Sequence, residues 1–137
     1  MICIDASFLI RLIADPNTPR FKTQWQHWLA DGEAFVAPAL LHYEVTNGLY
    51  KYQKAGIYSA STVAKQQTFA LNLPIQLINT PAVHQRALDL ATRWGLSATY
   101  DPHYIAVAEQ FNCDLWTVDA KLVKRAQPHT NHVRLFT

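Results

Sequence analysis

The chain has 137 residues, half of them hydrophobic, which is enough to bury one core and too few for two ordinary domains. Twelve Lys and Arg against ten Asp and Glu give a formal net charge of +2 and a pI near 8.6, compatible with a polyanionic partner. No apolar run reaches the length of a membrane span and the opening MICIDASFLI has no basic leader with a small-residue cleavage site, so a cytoplasmic location without membrane contact is expected.

Residues 1–5 read as a short buried strand, followed at once by the helical pattern ASFLIRLIA, which breaks at Asp15-Pro16-Asn17-Thr18-Pro19. A second helix over Arg20–Ala30 ends at Asp31-Gly32. A strand over 33–37 then leads to Pro38, expected to open a third helix running to about residue 55. Residues 59–71 form a further helix and Ile75–Ile78 a strand. Pro81–Trp94 is a helix closed by Gly95, with Leu88 and Ala91 on one face. Asp101-Pro102 caps and starts the helix HYIAVAEQF, residues 115–118 are a strand, Ala120–Ala126 a helix and residues 132–136 a last strand. Five strands separated by helices long enough for crossovers imply an α/β fold over residues 1–137 as a single domain. The sheet is expected to be mostly parallel and five-stranded, with helices on both faces.

In open α/β sheets ligands bind beyond the carboxyl ends of the strands, which makes the strand-to-helix junctions informative. Four acids lie at or just after such places: Asp5 and Asp119 at strand ends, Glu44 in the first turns of the third helix, and Asp101 at a helix start. Helix capping accounts for the three aspartates taken singly, since an N-cap stabilises by about 1 kcal/mol and needs no function. Glu44 resists that account. It borders the apolar stripe of its helix, and a half-buried carboxylate needs a partner.

Two carboxylates about 4 Å apart repel by about 4 kcal/mol at an effective dielectric near 20, so a cluster of acids calls for a cation. Magnesium takes hard oxygen ligands, commonly one or two carboxylates completed by waters and substrate phosphates, and it suits phosphodiester hydrolysis. Ser7, Thr117 and Asn47 offer side chains able to orient a carboxylate or a bound water; bonding to nearby backbone, or for Asn47 an exposed place on its helix, is the plainer account. Lys121, Lys124 and Arg125, at helical spacing beyond Asp119, and Arg11 on the helix that follows Asp5, are candidate phosphate contacts or else solvated helix faces. Trp25 and Trp28 suit a core or a dimer surface better than base stacking. Cys3 and Cys113 form no C-x-x-C pair and read as small buried hydrophobes. His42-Tyr43-Glu44 lacks the P-C-x-x-C partner of zinc deaminases. The six histidines lack H-E-x-x-H spacing, and neither a G-x-S-x-G elbow nor a phosphate-cradling glycine loop occurs.

The segments IDASFLI, APALLHYEVTNGL, YDPHYIAVAEQFNCDLWTVDAKL and the closing VRLF resemble the PIN-domain family, specifically the VapC-type toxins of toxin–antitoxin pairs, in order over nearly the full chain. The resemblance implies a three-layer α/β/α nuclease fold, dependence on Mg²⁺ or Mn²⁺, endonucleolytic cleavage of RNA, a homodimer, and inhibition by a small antitoxin protein. It makes Asp5, Glu44, Asp101 and Asp119 the acidic quartet and metal ligands, with Ser7 and Thr117 in support. Pro102 and His103 depart from the smaller residues of many relatives, whereas Tyr104 matches the family and reads as a packing residue. The alternative is a non-catalytic PIN-like module that binds metal or RNA without cleaving.

Overall fold

In a computed structural model describing residues 1–137, the central strand β1 (Ile2–Ile4) is buried along its whole length and runs straight into α1 (Ala6–Ala14). There follow α2 (Arg20–Ala30), β2 (Phe35–Pro38), α3 (Leu40–Lys54), α4 (Ala60–Leu71) and β3 (Ile75–Ile78). The second half adds α5 (Pro81–Trp94), α6 (Tyr100–Gln110), β4 (Asp114–Thr117), α7 (Ala120–Ala126) and β5 (Val133–Leu135). The five strands form one sheet in the order β3-β2-β1-β4-β5, and every neighbouring pair is parallel. With seven helices around it, the sheet is the middle layer of a three-layer α/β/α fold.

The strand order fixes where a site can lie. From β1 the chain moves outward to β2 and β3, then returns to the other side of β1 for β4 and β5. The direction of winding therefore reverses between β1 and β4, and the crevice at such a switch point is the usual ligand site of an open parallel sheet. Pairing of Ile4 with Trp116 brings Asp5, the next residue, beside Thr117.

Hydrophobic burial on both faces holds the sheet. Cys3, Ile4, Val36 and Leu115 are inaccessible in the strands, as are Phe8 and Leu9 of α1, Leu41 and Leu49 of α3 and Ile105 of α6. Burial of a side chain of this size stabilises by about 1.5–3 kcal/mol. Trp25 stacks on Phe35 at 4.1 Å and Trp28 lies 5.3 Å from Phe8, so both tryptophans belong to the core. Gly48 sets how closely α3 approaches α1, because a Cβ at this position would overlap Ile10 Cδ1. Cys3 and Cys113 are buried free thiols, and no helix is long and apolar enough to cross a membrane.

Four local expectations need correction. Pro38 ends β2 instead of opening α3. Strand pairing there is carried by the Ala39 N–H donating to the Ile78 carbonyl, so the missing proline N–H costs no ladder bond. Leu88 is 62% exposed, and the buried face of α5 is Val83, Ala87, Leu90 and Ala91. The strand expected at 115–118 begins and ends one residue earlier, which leaves Val118 between β4 and Asp119. Asp101 is not a cap: α6 already begins at Tyr100, the capping position is Thr99, and Asp101 lies in the first turn.

Candidate active site

Asp5 is only 6% exposed, yet it is polar and sits between β1 and α1. Its Oδ1 accepts from the Phe8 N–H at 3.1 Å, capping α1, and from the Ser7 hydroxyl at 2.6 Å. Its Oδ2 accepts from the Thr117 hydroxyl at 2.5 Å. The Ser7 oxygen in turn accepts from the Val118 N–H at 3.1 Å and the Thr117 oxygen from the Asp119 N–H at 3.0 Å. Each hydroxyl is fixed by backbone on one side and orients the Asp5 carboxylate with the other.

Asp119 caps α7, with Oδ1 accepting from the Lys121 and Leu122 N–H groups at 2.9 and 3.2 Å. Glu44, half-buried on α3, accepts at Oε1 from the Tyr104 hydroxyl at 2.8 Å. That tyrosine is 1% exposed and belongs to α6. Asp101, one turn before Tyr104, accepts at Oδ2 from Arg125 at 3.3 Å. Glu44, Asp101 and Arg125 line one cavity of about 230 Å³.

Electrostatics ties the acids together. Burial raises Asp5 above the usual carboxylate range against the hydrogen bonds from Ser7, Thr117 and Phe8, and the Asp101 charge adds to the rise. Burial also raises Glu44; the Tyr104 bond opposes it, and the charges of Asp101 and Asp5 reinforce it. Asp101 is raised by burial and by Asp119, with Arg125 pulling the other way. Each of these three therefore feels another member of the quartet, as expected for like charges facing a common space.

No three Asp, Glu, His or Cys side chains close around a point as a ready-made cage. The donor chemistry nevertheless fits a hydrated divalent ion. Asp119 Oδ2, Glu44 Oε2 and Asp101 Oδ1 accept no hydrogen bond from the protein, and Asp5 Oδ2 accepts only one. A carboxylate oxygen has two acceptor positions, so every acid keeps a hard oxygen lone pair available. An open set of this kind suits Mg²⁺, which retains several waters and dehydrates reluctantly.

The remaining sequence candidates divide. Lys121 and Lys124 are exposed on α7, and Arg125 is engaged by Asp101. Arg11 is directed to Asp15 at the far end of α1, six residues and about 9 Å of helix from Asp5, and touches none of the acids. Asn47 is exposed, makes no hydrogen bond to the quartet, and lines a different cavity with His42, Tyr43 and Tyr50. Sequence reasoning missed the bond that Tyr104 makes. Placing an apolar-looking aromatic in the buried stripe YIAVA concealed a hydroxyl that reaches across to another helix. His103 bonds to the Thr99 carbonyl and to His84, away from the acids.

A parallel α/β sheet wound in both directions from β1, with Asp5 at the point where the winding reverses, places this chain among the open doubly wound folds, whose usual ligand crevice is at the carboxyl edge of the sheet. Residues 2–127 match the PIN domain, and the chain belongs to the PIN-domain family. It shares its fold with a protein from Pyrobaculum aerophilum at 22% identity and a TM-score of 0.72, over 97% of this chain and 87% of that one. It is likewise similar to a chain of a toxin–antitoxin complex from Klebsiella pneumoniae, at 18% identity and a TM-score of 0.69 over 98% and 96% of the two chains. The VapC20 toxin of Mycobacterium tuberculosis, described as cleaving the sarcin–ricin loop, superimposes at 14% identity with a TM-score of 0.67, over 98% and 99%. No curated protein matches the chain.

Proposed function

We propose that this protein is a metal-dependent endoribonuclease, the toxin of a type II toxin–antitoxin pair, which hydrolyses RNA phosphodiester bonds with an activated water. The observation that carries the reading is that the charge of Asp101 acts on Asp5 and Glu44 while that of Asp119 acts on Asp101, so the four acids influence one another around the reversal of winding. Helix capping alone demands no such coupling. Membership of the PIN-domain family and the likeness to a chain of a toxin–antitoxin complex and to the VapC20 toxin support it.

Asp5, Glu44, Asp101 and Asp119 would hold Mg²⁺ or Mn²⁺ between them, largely through water. Such an ion polarises a phosphoryl oxygen and makes a water nucleophilic near neutral pH. Ser7 and Thr117 fix the plane of the Asp5 carboxylate, and Tyr104 holds Glu44 against α6. Arg125 neutralises part of the acidic charge and, with Lys121 and Lys124, presents cations to the RNA phosphates. Attack by water at phosphorus breaks the bond to the 3′ oxygen, leaving a 3′-hydroxyl on one product and a 5′-phosphate on the other. Incubation of single-stranded RNA with Mg²⁺ or Mn²⁺, with and without chelator, followed by analysis of the ends, tests the proposal. Cyclic 2′,3′-phosphates formed at full rate in chelator sink it.

For the antitoxin we propose an open cavity of about 410 Å³ walled by Leu12, Trp25 and Phe69, with Lys22, Lys65 and Gln66 beside them. Phe69 is 53% exposed on this wall, so an apolar side chain of a bound segment would cover surface that the chain alone leaves to water. Homodimer formation is the further part of this reading, checked by molecular mass in solution.

A further inference from the structure

Both acids carried within helices are preceded by an exposed tyrosine. Tyr43 stands before Glu44 on α3 and is 75% exposed; Tyr100 stands before Asp101 on α6 and is 63% exposed. Successive residues of a helix point about 100° apart, so Tyr43 faces away from the cavity that Glu44 shares with Asp101 and Arg125, whereas Tyr100 stands at its rim. The two tyrosines meet around a second cavity, of about 400 Å³, whose wall also contains Asn79, His84 and His103. Tyr100 lines both cavities, so the second one adjoins the acidic one.

The polar wall is held in a fixed arrangement. The Thr99 carbonyl can only accept, so His103 Nδ1 donates to it. His103 Nε2 and His84 Nδ1 share a hydrogen bond at 2.9 Å, and His84 Nε2 donates to Asn79 Oδ1 at 2.8 Å. All four ring nitrogens are then used, and the Asn79 amide retains both N–H groups and a second lone pair on its oxygen. An amide that offers both a donor and an acceptor is a group that reads the edge of a base.

We infer that the cavity between Tyr43 and Tyr100 is a nucleobase pocket, which takes an unstacked base of the single-stranded RNA whose phosphodiester lies at the adjoining acids. The inference rests on the proposed ribonuclease reading and adds to it a place where sequence is read. Exposed aromatic faces accept any base by stacking, and Asn79 supplies the discrimination.

The test compares the parent chain with Tyr43→Ala, Tyr100→Ala, their Phe counterparts and Asn79→Ala. The probes are ten-nucleotide single strands of A, C, G or U and an abasic ribose-phosphate strand of the same length and charge, bound in chelator so that none is cut. Loss of one stacking platform is expected to weaken binding of the base-bearing strands about tenfold. Binding of the abasic strand and the salt dependence should stay unchanged, because no phosphate contact is removed. The Phe variants should bind as the parent does, and Asn79→Ala should compress the ranking of the four bases. Equal loss on the abasic strand, or no loss on any strand, overturns the pocket. So does a result in which the Ala variants bind every RNA normally but release a co-expressed antitoxin, which assigns the surface to a protein partner. Metal-dependent cutting by the parent is scored separately. Base-dependent binding without cutting defeats only the ribonuclease reading, and cutting with base-independent binding defeats only the pocket.

Discussion

The Tyr104 hydroxyl donates to Glu44 at 2.8 Å across 60 residues of sequence, joining α6 to α3 at the edge of the proposed metal site. A hydrogen bond to a charged group contributes roughly 1.5–3 kcal/mol, and an acceptor left half-buried without it carries a desolvation cost. Tyr104→Phe keeps the ring that fills the core and removes only this bond. Since the bond is the influence that lowers Glu44, its loss should raise that carboxyl further. Denaturant melts should show a loss of about 1–2 kcal/mol, and Mg²⁺ affinity read from thermal shifts should fall about tenfold or more, the usual scale for a partner that orients a ligand. Unchanged affinity would show that Glu44 is held by packing alone.

Thr117 performs two tasks with one oxygen, donating to Asp5 and accepting from the Asp119 N–H. Thr117→Val preserves shape in a fully buried position and deletes both bonds. The expected outcome is a drop in cleavage of about 10- to 100-fold with the chain still folded. Thr117→Ser should recover most of the activity, because the hydroxyl returns while the methyl is lost. A Val variant with parental activity removes the orienting role.

Much of this arrangement is legible in the sequence. The helices and strands followed from apolar periodicity, and the parallel sheet from the alternation of strands with crossover helices. That placed Asp5 and Asp119 on one edge. Sequence signals were weakest where a residue has two compatible roles. Asp101-Pro102 looks like a cap followed by a first helical residue, but proline is equally tolerated within the first turn, and α6 starts earlier. Arg11 and Asn47 illustrate the other failure: proximity in sequence to an acid does not set the direction of a side chain around its helix, and both turn elsewhere. The Tyr104–Glu44 bond was beyond reach because nothing local specifies which turn of α6 faces α3.

Asp5→Asn should abolish growth arrest when the chain is expressed in a bacterial host, while the protein remains folded. Asn keeps an oxygen to cap α1 through the Phe8 N–H, so the cost in stability should be modest compared with Asp5→Ala. Arrest that persists in the Asn variant, at equal expression, would separate toxicity from the acids.

Arg125 pairs with Asp101 and lies beside Lys121 and Lys124 on the proposed RNA-binding face. Arg125→Gln removes the charge that lowers Asp101 and one cation of α7. Binding to single-stranded RNA should weaken across all sequences, and the slope of log affinity against log salt should diminish by about one. A change in base preference instead would assign Arg125 to sequence reading.

The last prediction concerns pH and metal together. Asp5, Glu44 and Asp101 all titrate above their ordinary values of 3.8, 4.5 and 3.8 in the folded chain. Between those ordinary values and the raised ones, the native state binds more protons than the unfolded state, so stability falls as pH rises through that window. The metal-free protein should therefore draw its contribution from these acids in full only below the ordinary carboxylate range, and lose it on the way to neutral pH. In the proposed site Mg²⁺ would bind the deprotonated acids, so its stabilising effect should grow over the same interval. Asp119→Asn gives the matching control. Asparagine can still accept from the Lys121 and Leu122 N–H groups, while the charge that pushes Asp101 up is gone. Thermal melts of parent and variant, in chelator and in millimolar Mg²⁺, at several pH values from about 4 to 8, read all of this. The metal-free variant should melt at or above the parent near neutral pH, and Mg²⁺ should raise it less. Identical melts in every condition would mean that the four carboxylates act as separate helix caps and surface charges, and the shared metal site would lose its main physical support.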